Sequence, residues 1–81
     1  MDDKPLHDRI NDLFREEEAL YVAASSGGGL SEDDRRRLDE IKVALDQSYD
    51  LLHQREAKRA AGEDPGEAEL RPPEIVENYD Q

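Results

Sequence analysis

The sequence predicts an all-α fold: an antiparallel two-helix hairpin followed by an extended acidic C-terminal tail. Three observations predict it. Apolar residues recur at 6, 10, 13, 14, 20, 21 and 24 and again at 38, 41, 45, 49 and 52, the spacing of a 3.6-residue helix and not the alternation of a strand. A Ser25-Ser26-Gly27-Gly28-Gly29 break separates the two stripes. Beyond Gly62 the composition turns acidic and proline-containing.

The first helix is expected over about Pro5 to Ala24. Pro5 suits a first-turn position, where its missing N–H is not needed, and Asp2 or Asp3 is placed to cap the start. The Gly-rich loop over 25–31 ends it, because it has almost no side chains to bury and too much backbone freedom to stay helical. Ser31-Glu32-Asp33-Asp34 then reads as a helix start, with a capping hydroxyl and three carboxylates at the positive end of the dipole. The second helix is expected over 32–61, with Leu38, Ile41, Leu45, Tyr49 and Leu52 on one face. Arg55, Lys58 and Arg59 suit its negative end, and Gly62 suits the left-handed residue that follows.

Helices joined by so short a loop pack antiparallel. In that register Leu13 lies near Ile41, Ile10 near Leu45 and Leu6 near Tyr49. Glu16-Glu17-Glu18 is set opposite Arg35-Arg36-Arg37, and Glu17, on the apolar ladder, is expected at the edge of the seam. The hairpin thus occupies residues 1–61 and the tail 62–81. Residues 1–24 carry a charge of −4, residues 32–61 carry −1 and residues 62–81 carry −6, with one basic side chain, Arg71, among seven acidic ones in the tail.

Composition narrows the function. At 81 residues there is room for one small domain, and Leu, Ile, Val and Phe number 16, close to the one-fifth level below which charged chains tend to stay unfolded. Of these, 13 fall in the hairpin and three in the tail. A net charge of −11 argues against direct binding of nucleic acid or of an anionic membrane. No apolar run approaches the length of a membrane span, and Met-Asp-Asp-Lys-Pro lacks the features of a secretory signal, so a cytoplasmic location is expected. With no cysteine, thiolate chemistry and Cys-type metal sites are excluded. No nucleophile and base stand together, no Gly-rich loop carries a phosphate-binding lysine, and the chain reads as a non-enzyme without a cofactor.

The leading expectation is a non-catalytic protein–protein interaction module. Its tail would dock on a protein partner through Leu70, Ile75, Val76 and Tyr79, the apolar residues of an otherwise polar segment. Two amphipathic helices leave Phe14, Tyr21, Leu51 and Leu52 half covered, so a homodimer forming a four-helix bundle, a partner, or the folded-back tail would supply the rest of the cover. Two alternatives come from other classes. One is a metal-binding bundle built on His7, Asp50 and His53, with Asp3 or Asp46 as further ligands, because Asp50-x-x-His53 has the i, i+3 spacing of carboxylate-bridged bundle sites. The other is an acidic DNA mimic that occupies a basic protein site.

The run LDQSYDLLHQREAKRAAGEDP from Leu45 to Pro65, together with RPPEIVENYDQ from Arg71 to Gln81, the MDDK start and the acidic stretch from Glu16 to Leu20, resembles a family of small uncharacterised proteins. It is a domain of unknown function found mainly in high-GC Gram-positive bacteria. The resemblance implies a single short helical chain with no established activity. Many members carry Cys-Trp where this chain has Ser48-Tyr49, and many have a histidine where it has Glu18 or Ala19. Those departures weaken any metal or thiol site patterned on the family.

Overall fold

The computed structural model describes residues 2–77. Among these there are two long α-helices, α1 (Lys4–Ser25) and α2 (Glu32–Ala60), then a single 3-10 turn (Pro65–Glu67) and a short helix α3 (Pro73–Glu77); no strand occurs among the described residues.

The helix ends follow from their sequences. The backbone N–H of Lys4 donates to Asp2 Oδ1 at 2.9 Å, and Pro5 lies in the first turn. Ser31 and Asp34 form a reciprocal capping box at the start of α2: Asp34 N donates to Ser31 Oγ at 3.1 Å and Ser31 N to Asp34 Oδ2 at 3.3 Å. At the other end Gly62 adopts φ +74, where a side chain would be strained. Its N–H donates to Arg59 O at 3.1 Å and that of Glu63 to Lys58 O at 2.8 Å, the paired bonds that satisfy the last carbonyls and turn the chain back.

The core is the seam between α1 and α2: Leu6, Ile10 and Leu13 from the first helix cluster with Ile41 and Leu45 from the second, and Leu20, Ala44, Leu51 and Leu52 pack around them. Ile41 has no solvent exposure at all. One expected seam residue is displaced. Tyr49 lies at the flank, half exposed, where its ring tilts against that of Phe14 with centroids 6.4 Å apart. The buried position is taken instead by Ser48, whose Oγ donates to Ala44 O at 2.7 Å. Ser48 continues the Ile41, Leu45 ladder by three residues, whereas Tyr49 falls about 80° around from Ile41, too far to enter the seam and near enough to meet Phe14 at its flank.

The two charge runs also meet less fully than their lengths suggest. Arg37 engages Glu16 across the hairpin through two hydrogen bonds, the second from Nη2 to Oε1 at 2.7 Å, and also bonds Glu40 at 3.1 Å. Arg36 instead approaches Asp33 on its own helix at 3.9 Å. Three consecutive residues sweep about 200° of a helix, so only one of each run can point at the neighbour. Glu17 is half-buried. At the open end of the hairpin Asp3 accepts from Arg55 at 3.3 Å and pairs with Arg59 at 2.8 Å, which holds its carboxyl below the usual aspartate range.

The tail lies on α2. The 3-10 turn and α3 both contact that helix, and Lys58 anchors the turn through Glu63 at 2.9 Å and Glu67 at 3.8 Å. No helix among the described residues is long and apolar enough to cross a membrane.

Candidate interaction surface

The side of α2 turned away from α1 carries polar residues at helical spacing. Gln47, Asp50 and Gln54 lie one turn apart, and Asp50 is about half a turn around from Ile41. A carboxylate there would ordinarily be hydrated. Instead Asp50 is buried, because the tail crosses it. Arg71 grips it bidentately, Nε to Oδ2 at 2.8 Å and Nη2 to Oδ1 at 2.5 Å, and Gln54 adds a bond to Oδ2 at 2.8 Å. These donors, Arg71 foremost, hold the Asp50 carboxyl below its usual range against the opposing effect of burial.

The two glutamines fix the tail backbone on either side of that ion pair. Gln54 Nε2 donates to Glu69 O at 2.8 Å and Gln47 Nε2 to Arg71 O at 3.1 Å. Pro72-Pro73 then starts α3, whose first backbone bonds return to Pro72 O. Its Val76 is 6% exposed, and it borders a groove of roughly 280 Å3 with Lys42, Asp46, Tyr49, Asp50 and His53.

The residues expected to face a partner are therefore divided. Val76 is turned onto α2, whereas Leu70 and Ile75 remain 58% and 47% exposed. Tyr79 lies outside the described residues. On the hairpin, Phe14, Tyr21, Val22 and Tyr49 are also exposed, with Phe14 and Tyr21 two turns apart on one flank of α1. The residues of the metal alternative are scattered: His7 is exposed on α1, His53 is exposed on α2 beside Asp50, and both oxygens of Asp50 face Arg71. Among the described residues no group of three His, Asp or Glu side chains is arranged to hold a metal ion.

Arg71, Gln47 and Gln54 carry the tail contact, and periodicity does not single them out, because it registers apolar positions. One signal is present. Arg71 is the sole base in a tail with seven acids.

The family described as Protein of unknown function (DUF2630) matches residues 2–81. Uncharacterized proteins of Mycobacterium tuberculosis and of Mycobacterium bovis are each 44% identical to the chain over 70 residues, covering 86% of it and 80% of the relative. No solved structure matches.

Proposed function

The chain belongs to the family described as Protein of unknown function (DUF2630), and from that premise we propose that it is a non-catalytic protein–protein interaction module. One observation carries the proposal: the tail is clamped to α2 through Arg71 and Val76 while Leu70 and Ile75 stay exposed to solvent. A docking segment needs large aliphatic anchors held in place and open to a partner, and the clamp supplies that for Leu70 and Ile75. The acidic surroundings add orientation and speed of encounter with a basic partner more than affinity.

The test uses the purified chain as bait in extract from the native host, at low and high salt, with each captured protein identified and its capture repeated with a Leu70→Asp, Ile75→Asp double variant. A specific partner retained in high salt and lost with the variant, at unchanged helical circular dichroism, is the expected result. Capture that ignores the variant refutes the proposal. Capture that vanishes in salt for both chains favours the DNA-mimic alternative, in which charge alone does the binding.

A homodimer is the second reading, supported by the Phe14, Tyr21 and Tyr49 flank. Those side chains are partly covered within one chain, and a second hairpin against them would form the four-helix bundle. Two chains of charge −11 repel, so the dimer should strengthen with added salt, the opposite of a charge-driven partner complex. Solution mass measured across salt concentration decides it, and a constant monomer mass removes it. The metal alternative loses support because its central ligand, Asp50, is bound by Arg71 and Gln54.

A further inference from the structure

The outer face of α2 holds the tail by features that many peptides share. Gln54 and Gln47 take main-chain carbonyls two residues apart, at Glu69 and Arg71. Asp50 takes a guanidinium from the second of those residues, and an aliphatic side chain five residues further on, Val76, closes the contact. None of these interactions uses the tail's acidic side chains. We propose that this face of α2, centred on Asp50, is a recognition site for an extended arginine-bearing segment of a partner protein, and that residues 69–77 are a resident pseudo-ligand which such a segment displaces. The proposal rests on the reading of the chain as an interaction module.

Two observations make the tail displaceable. It matches the hairpin poorly in charge, because residues 62–81 carry −6 and residues 1–61 carry −5. A neutral or basic segment with the same arginine and the same carbonyls keeps the bonds and loses the repulsion. Opening also strands nothing. Asp50, Gln47 and Gln54 are covered by the tail and not by the α1·α2 core, so on release they return to water. What favours the resident is its tether: a short connection, residues 61–68, holds it at an effective concentration of about millimolar, which a competitor must exceed through affinity.

The experiment needs no identified partner. The probe is a fluorescent synthetic peptide with the sequence of residues 66–77 and glutamine in place of each glutamate, and the protein is the full chain. Anisotropy should show the R71A chain binding it about tenfold or more tightly than the wild type, since the weakened resident competes less. The D50N, R71A chain should bind it at least about tenfold less tightly than the R71A chain, and a peptide with alanine in place of its arginine should lose binding in the same way. In the wild-type chain, saturating peptide should accelerate hydrogen exchange of amides 69–77 while those of α2 near Ile41 stay protected. Binding indifferent to D50N, or tail exchange unmoved at saturation, overturns the proposal, and the exchange measurement holds even where R71A impairs folding. Because the assay uses neither Leu70 nor Ile75 as a variable, its failure leaves the partner-capture reading standing, and the failure of that capture leaves this site standing.

Discussion

Toward α1, helix α2 presents Ile41, Leu45 and the buried Ser48; toward the tail it presents Gln47, Asp50 and Gln54. The first contact excludes water from aliphatic groups that have no good alternative to burial, and its strength is that of the area removed from solvent. The second exchanges hydrogen bonds with water for hydrogen bonds with a peptide, a trade whose net value is small. The same helix is thus held firmly on one side and loosely on the other. Two cooperative units of different stability are expected, with the tail opening well before the hairpin melts.

The largest effect should come from the firm side. Ile41→Ala removes the most completely buried side chain and should cost about 2–5 kcal/mol. For a chain of this size, with a stability on the order of 4–12 kcal/mol, that lowers the midpoint of thermal unfolding by circular dichroism by about 10 °C or more. An unchanged midpoint would mean that the seam is not the core. Next, Asp50→Asn should weaken the tail by about 1.5–2 kcal/mol, raising exchange of amides 69–77 about tenfold or more while the helical melting curve barely moves. If that variant shifts the whole curve as far as Ile41→Ala, the two sides are one unit and the comparison collapses.

Acid should separate the sides in the same way. The Asp50 carboxyl sits below the ordinary aspartate value of 3.8, so the folded state binds its proton less readily than the unfolded chain, and its stabilising effect is fully present above that value. It is lost as the pH falls through the lowered folded pKa. Facing Asp50 are the donors Arg71 and Gln54 and the nearby His53, which favours the charged form when protonated. Tail exchange, corrected for its intrinsic pH dependence, should be flat from pH 8 to about 4 and rise below it, and a rise that begins well above pH 4 would place control with a group other than Asp50. Smaller still, Val76→Ala should loosen the tail by about 1–1.5 kcal/mol, whereas Ile75→Ala, one residue earlier and exposed, should stay within about 0.5 kcal/mol. The least effect belongs to Glu16→Gln, whose pair with Arg37 is exposed to solvent; its melting midpoint should match the wild type within error.

The firm side is the legible one. Leu6, Ile10, Leu13, Ile41 and Leu45 announce themselves by spacing, and Ser31, Asp34 and Gly62 announce the helix ends by residue type, because burial and capping leave local marks. Size and position point Tyr49 to the core, yet a three-residue step from Leu45 reaches Ser48, and a helix gives the closer geometry precedence over the larger side chain. The Asp50 to Arg71 clasp leaves no periodic mark. It joins residues 21 apart through charge and amide groups, and charged residues are so abundant here that pairing rules alone select none of them. Composition marks Leu70, Ile75 and Val76 as the apolar members of the candidate surface, while the geometry of α3 decides which of them turns inward.

Asp3 sits at the far end of the molecule from the glycine loop and joins Arg55 across 52 residues of sequence. A hairpin that nucleates near its loop forms its short-range contacts first and meets this pair last, after the entropy of closing the shorter loops has been met. During synthesis Asp3 must wait until Arg55 and Arg59 have left the ribosome, by which time the core residue Ile41 and the Ser31 cap have long been available. The N-terminal turn is therefore the last part of the hairpin to settle, and a perturbation of the Asp3 clasp would be felt in the unfolding rate more than in the folding rate.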